Sequence, residues 1–265
     1  PTRRSSDLLV AVCQGDTSTT MLQPLEGLGE ICHRYGALLQ VDATASVGGT
    51  PLPVDAWQID AVTAGLQKCL AGPAGAAPIT LNDDFARVIY RRRHLEEGVR
   101  TADYVAGKGT RIGSNYMDMA MIIDYWSDSA LNHHTEATTM LYGSRECARI
   151  YVQEGHASVQ ARHSKASKAV VAGLQNMNLK IFGDIQNKMP NVTGVYIPDG
   201  IHGDKVRAAL LKLQRRFARR AKGAVLDGRG QRSHHPFCAR FRRGGRPQLS
   251  CRRRVRVSRT ACVAI

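Results

Sequence analysis

Four short apolar runs constrain this chain more than any other feature: residues 8–13, 37–41, 61–64 and 77–81, separated by turn-rich or helically periodic stretches. Runs of four to six residues bounded by turn formers read as buried strands rather than buried helices. Between the first two, Leu22, Leu25, Leu28, Ile31 and Cys32 recur at helical spacing over residues 22–35. Further helices are expected at 83–93, 117–126, 136–155 and 163–177, then a last strand at 191–197 and an amphipathic helical turn at 204–211. Strands alternating with helices predict an α/β fold with a mixed, mostly parallel sheet and helices on both faces. The long helices after Thr135 mark a passage into a smaller α+β region, so 9–135 reads as a large sheet domain and 136–212 as connecting helices with part of a second domain.

The net charge of +15 suggests a polyanion binder until its distribution is read. From Leu213 to Ile265 there are 16 Lys and Arg against one acid, whereas residues 1–212 hold 21 bases and 21 acids. The tail therefore carries the whole excess. It has no period of 3.6 or 2 and little contiguous apolar surface, which predicts disorder. Two origins stay open. One is an arginine-rich arm that binds nucleic acid; the other is translation in a wrong reading frame, favoured by the abrupt break and by a single lysine, Lys222, among the arginines. The opening PTRRSSDL joins poorly to the first strand and reads as a sequencing artefact, with a basic linker as the alternative.

Seven cysteines, Cys13, Cys32, Cys69, Cys147, Cys238, Cys251 and Cys262, are odd in number and contain no C-x-x-C pair. Reduced thiols in a cytoplasmic protein fit this better than a disulfide framework or zinc site. No apolar run approaches the roughly 18 residues that span a bilayer, so no membrane partner is expected.

Three motifs follow the first three strands: GDTSTT (15–20), VDATAS (41–46) and LQKCL (66–70). Carboxyl ends of strands are where open α/β sheets bind ligands. Each motif has an ordinary reading alone: Asp16 and Asp42 as caps or turn formers, Lys68 as a surface residue. Lys68 is nevertheless unusual, with no charged residue between Asp60 and Asp83 except itself. An aspartate after one strand can keep a pyridine nitrogen protonated, and a lysine among apolar residues can act as a nucleophilic amine towards an aldehyde. Pyridoxal phosphate needs those two groups most.

The stretch VDATASVGGTPLPVDAWQIDAVTAGLQKCLAGPAGAAPITL (41–81) closely resembles the cofactor region of class V, fold-type I aminotransferases. Within that family, GDTSTTMLQPL, SNYMDMAMIIDYW, LNHHTEATTMLYGSRECAR and EEGVRTAD look most like members that transfer an amino group from (S)-ureidoglycine to glyoxylate in purine breakdown. Alanine or serine is the alternative donor. The resemblance covers about residues 9–212. It implies that Lys68 is the Schiff-base lysine and proton shuttle, that Asp42 partners the pyridine nitrogen, and that Gln67 helps hold the phosphate. It places Thr17, Ser18 and Thr19 near the ring's phenolic oxygen, Ser18 or Thr19 foremost. Thr135 matches a residue that reaches the phosphate of the neighbouring subunit, which implies a homodimer. Asn132 stands where relatives place a tyrosine and suits a ureido group, which offers both donors and acceptors.

His133-His134 lacks the spacing of a metal motif, so no metal is expected. Tyr125 and Trp126 are expected to pack in a helix, and Cys69 to be a small buried residue rather than a nucleophile. The family pattern also implies a fragment. The phosphate-gripping turn and ring-stacking aromatic expected before Leu8 are absent, and Arg215, Arg216, Arg219 and Arg220 do not sit in the motif of the carboxylate-binding arginine. Exposed sheet edges and poor solubility are expected in consequence.

Overall fold

The computed structural model describes residues 8–95, 100, 102–107, 112–224 and 261–264. The expectations for PTRRSS, for part of EEGVRTAD and for most of the arginine-rich tail lie outside these residues. Two compact units are distinguished: Pro1–Val195 with Val257–Ile265, and Tyr196–Arg256.

The first unit is built on a five-stranded sheet. Strands β1 (Leu8–Cys13), β4 (Ala37–Asp42) and β5 (Ala61–Thr63) run parallel, and β6 (Pro78–Leu81) and β7 (Ala261–Ala264) continue the sheet antiparallel in the order β1-β4-β5-β6-β7. Strand β4 alternates buried and half-buried residues. Its Leu39 and Val41 are fully buried and form one core with Leu25, Cys32, Ala43, Ile59 and Val62. A second core packs Ala61, Ile79 and Leu81 against Ile122 and Ile123. Each such aliphatic side chain contributes about 1.5–3 kcal/mol on leaving water.

Between β1 and β4 the chain forms a small hairpin, β2 (Gly15–Asp16) with β3 (Met21–Leu22), and then α1 (Leu28–Arg34). The helix expected from Leu22 thus starts six residues later. Met21 and Leu22 are spent on strand pairing, Leu22 N donates to Asn187 O at 2.8 Å, and Pro24 disfavours helical backbone at Gln23. Gly27, with φ 77°, makes the left-handed entry that a residue with a Cβ adopts only under strain.

Helix α2 (Asp83–Tyr90) is capped by Asn82, whose side chain accepts from Phe85 N, and α3 (Met119–Trp126) by Asp118, which accepts from Ala120 N at 2.9 Å. Helices α4 (Thr138–Glu154) and α5 (His156–Asn176) meet at Gly155, where φ is 84°. Helix α5 starts earlier than its apolar spacing predicts: its first two turns carry a single buried apolar residue, Val159, too few to show a period. The strand expected at 191–197 is reduced to one bridge, Val195 with Ile181, since an extended segment becomes a strand only where a neighbour offers a continuous ladder. In the second unit α6 (Gly203–Ala224) runs past Lys212, so regular structure continues beyond the expected break.

A buried carboxylate ties these layers together. Asp60, 1% exposed, accepts from Leu39 N (2.7 Å), Asn82 Nδ2 (2.7 Å) and His33 Nε2 (2.9 Å). Three donors offset the cost of taking that charge out of water.

Candidate active site

Strand register decides the site. Asp42 lies opposite Cys13 of β1 on one side and Thr63 of β5 on the other, so the three parallel strands end level. The turns that follow them therefore emerge at one edge: GDTSTT after β1, Ala43–Ser46 after β4, and the Lys68 loop after β5. Backbone bonds lock the exits, Gln14 N to Asp42 O and Ala43 N to Thr63 O, each 2.9 Å.

Asp42 is half-buried at this edge. Its Oδ1 accepts from Thr44 N at 2.8 Å, and no hydrogen bond engages Oδ2 among the described residues. One oxygen thus fixes the carboxylate while the other stays open to a donor. In the five-residue turn 66–70, Leu66 is buried, Cys69 and Leu70 half-buried, and Gln67 and Lys68 exposed. The apolar enclosure expected around Lys68 is not formed here: Leu66 turns into the core, and the exposed neighbours are the polar Gln67 and the small Ala71. Among the described residues Lys68 Nζ has no hydrogen-bond or ion-pair partner, so no side chain competes for it.

In the first turn, Asp16 accepts from Ser18 N (2.9 Å), Thr19 N (3.2 Å) and Thr19 Oγ1 (2.7 Å). The Ser18 N–H first, then the Thr19 hydroxyl, hold its carboxyl below the usual range. Thr19's proton is thereby committed and the Ser18 side chain also leans on Asp16, whereas the Thr17 hydroxyl has no such tie among the described residues. An open cavity of about 440 Å³ adjoins this turn, lined by Cys13, Asp16, Thr19, Leu22 and Asn187 among others.

Asn132 and Thr135, both exposed, lie on the strap joining α3 to α4. Among the described residues no hydrogen bond joins either to Lys68 within one chain, and neither lies on a strand-end turn. The strap is held by its histidines: His133 Nε2 faces Asn115 O at 2.6 Å, and His134 Nε2 lies 3.0 Å from Glu136 Oε1. Their rings stack on Tyr116 and Tyr125. Tyr125 also meets Trp126 edge to face at 5.6 Å within α3.

Several residues that shape the site were not evident in the sequence. Ser46 Oγ donates to Gln14 Oε1 at 2.6 Å, both groups fully buried, and Gln14 Nε2 donates to Pro51 O. Thr44 closes on the Lys68 loop, since a Cβ at Gly65 would fall 2.7 Å from Thr44 Cγ2 and 3.1 Å from Gln67 Oε1. Helix α4 braces the same loop: Cβ atoms at Gly72 and Gly143 would come within 3.3 Å of Cys147 Sγ and 2.9 Å of Pro73 Cγ. Glycines clustered at 48, 49, 65, 72 and 75 were the available signal.

The model of the family described as aminotransferase class V matches residues 4–241. The chain belongs to this family. A curated (S)-ureidoglycine–glyoxylate transaminase of Bacillus subtilis is 49% identical over 205 residues, and an alanine–glyoxylate aminotransferase of Drosophila melanogaster is 32% identical over 200. These alignments take in 77% and 74% of this chain but 49% and 47% of the relatives, so it spans about half their length. The crystal structure of a ureidoglycine-glyoxylate aminotransferase from Bacillus subtilis superimposes with a TM-score of 0.69 at 45% identity, covering 77% of this chain and 49% of that one. An alanine–glyoxylate aminotransferase from Nostoc gives 0.68 at 33% identity. The expected fold, a partial fold-type I large domain, agrees with these neighbours.

Proposed function

We propose that this chain is the cofactor-binding part of a pyridoxal phosphate-dependent aminotransferase that moves an amino group from a small donor such as (S)-ureidoglycine to glyoxylate. The observation that carries the reading is the shared carboxyl edge, where Asp42 with one open oxygen stands between the hydroxyl turn and the partnerless Lys68. That donor set fits the cofactor: an acid for a ring nitrogen, an amine for an aldehyde, hydroxyls for a phenolic oxygen.

When bound, pyridoxal 5′-phosphate supplies an aldehyde carbon for amine exchange and a ring that spreads the charge left when a proton leaves the donor's α carbon. In this reading Lys68 Nζ would carry the proton between the donor's α carbon and C4′. Asp42 Oδ2 keeps the pyridine nitrogen protonated. Thr17, Ser18 and Thr19 would face the phenolic oxygen, Ser18 or Thr19 foremost, on a turn that Asp16 holds in shape. Gln67 binds the phosphate on its own chain and Thr135 that of a second subunit, so the working form is a homodimer, in the cytoplasm. Asn132 orients the ureido group by donating to its oxygen and accepting from its nitrogen. Residues 9–135 supply the cofactor site, and 136–212 link it to a smaller domain. Ureidoglycine is preferred to alanine or serine as donor on the strength of the 49% identical relative.

The test is chemical. After incubation with pyridoxal 5′-phosphate and reduction with borohydride, peptide mass spectrometry should find the label on Lys68, and the Lys68→Ala chain should lack it. A label spread evenly over exposed lysines such as Lys165 and Lys168 would sink the reading. Asp42→Asn should reduce the yield of Lys68 label.

A further inference from the structure

Lys68 is exposed and its amine has no partner among the described residues, yet the turn carrying it is pinned at the next residue. Asn191, far along the chain, donates through one nitrogen, Nδ2, to Ala45 O at 2.7 Å and to Cys69 Sγ at 2.9 Å. Cys69 in turn directs its S–H to Ala45 O at 3.7 Å. Ala45 sits between Thr44 and Ser46 in the turn that follows Asp42. The three groups therefore form a closed triangle joining the Asp42 turn to the Lys68 turn, with Asn191 as the only member outside the strand-end loops.

The sulfur has a fitted seat. A Cβ at Gly49 would lie 2.7 Å from Cys69 Sγ, closer than side chains tolerate, and Gly49 N donates to Ser46 O at 2.9 Å, which holds that backbone in place. The orientation of the Asn191 amide is set by Ala45 O, because the reversed amide would turn oxygen towards oxygen. Its Oδ1 is buried without a partner, an imperfection that would be relieved if the side chain swung out. Holding it in place takes the two bonds from Nδ2. Desolvation raises the Cys69 thiol above its usual range, consistent with a neutral S–H that both accepts and donates.

We infer that Asn191 and Cys69 are positioning residues that set the distance between Asp42 and Lys68 through Ala45. The inference rests on the proposed role of Lys68. It explains why an asparagine in a segment without regular structure is packed at the strand ends: among the described residues the lysine turn is held internally by Ala71 N to Lys68 O, Gly72 N to Leu66 O and a long Lys68 N to Gly65 O at 3.5 Å, all backbone bonds that leave its distance from the Asp42 turn unset. It assigns Cys69 a structural use of its thiol rather than a nucleophilic one.

The test compares the full chain with Asn191→Ala, Cys69→Ala and Cys69→Ser, by two readouts. First, without any cofactor, iodoacetamide labelling of Cys69 is timed by peptide mass spectrometry, with exposed Cys13 as internal reference. Asn191→Ala should speed Cys69 labelling relative to Cys13 by roughly three- to tenfold, the factor that one hydrogen bond supplies. An unchanged ratio overturns the triangle. Second, the rate of borohydride-fixed pyridoxyl labelling at Lys68 is measured relative to Lys165. Asn191→Ala and Cys69→Ala should lower that ratio by a similar factor, and Cys69→Ser, whose hydroxyl can accept and donate in the same way, should restore most of it. Equal ratios in all four chains overturn the positioning role, whereas a general folding defect would move Lys165 and Lys68 together. If Lys68 of the unaltered chain takes no label, the aminotransferase reading and the positioning role fail together. The triangle itself still stands or falls on the Cys69 rate.

Discussion

At the scale of single residues, legibility followed sequence distance. The strand-end placement of Lys68, Gln67, Asp42 and the hydroxyls of 17–19 was readable because each sits in an unbroken motif directly after an apolar run. Their partners were not. The Asn191–Cys69 bond spans 122 positions, and no local pattern distinguishes that asparagine from any other in a loop. The same holds for Tyr90, whose hydroxyl donates to Asp124 Oδ1 at 3.0 Å beside Arg93, which donates to Oδ2 of the same buried carboxylate. Burial, and then the adjacent Asp124 charge, push the Tyr90 phenol up to about 12 from an ordinary 10. The folded chain holds that proton more tightly than the unfolded one. Its contribution to stability is therefore complete below about pH 10 and is lost as pH rises through about 12. Spectrophotometric titration at alkaline pH should show one late tyrosine that Tyr90→Phe removes and Asp124→Asn moves to lower pH. A Tyr90→Phe curve matching the parent would refute the assignment.

At the scale of elements, type was legible and edges were not. The helix expected from Leu22 failed because apolar spacing cannot report that Met21 and Leu22 pair with Gly15 and Asp16, or that Pro24 blocks entry. Where a cap residue was present, the start was close: Asn82 and Asp118 begin α2 and α3 within two residues of the expected positions. The two caps should differ in what they support. Asp118 accepts from Ala120 N, so Asp118→Ala should cost about 1 kcal/mol, the usual worth of such a cap. Asn82 caps α2 and also donates to the buried Asp60, so Asn82→Ala should cost about 2–3 kcal/mol by adding an unmet acceptor to a lost cap. Urea unfolding of both chains measures the difference. Asn82→Asp separates the two roles: it keeps the cap but sets a second carboxylate against Asp60, and it should be no better than Asn82→Ala.

At the scale of the molecule, a mixed sheet with helical cover was readable from the alternation of short apolar runs, but not that β6 and β7 run antiparallel. Which strand lies outermost was not, since position in a sheet depends on pairing rather than on composition. Strand β1 ends the five-stranded order and, among the described residues, pairs only with β4. Its Val10 and Val12 pack on the core with Leu28, while Leu9, Ala11 and Cys13 are exposed on the other face. Leu9 is 53% exposed. An apolar edge with unpaired backbone groups is a template for another chain, and natural edges are commonly blunted by lysine. The near-neutral body offers little charge repulsion to oppose such contact, because the basic excess lies after Lys212. Leu9→Lys should therefore weaken self-association by about tenfold or more, the loss of one buried leucine at each contact, while the melting temperature stays within a degree or two because the side chain was already in water. Sedimentation velocity across a concentration series reads the first quantity and thermal unfolding the second. Unchanged association would show that β1 is not the sticking edge, and attention would pass to the exposed apolar residues of α4 and α5, Tyr142, Val152 and Val170 among them.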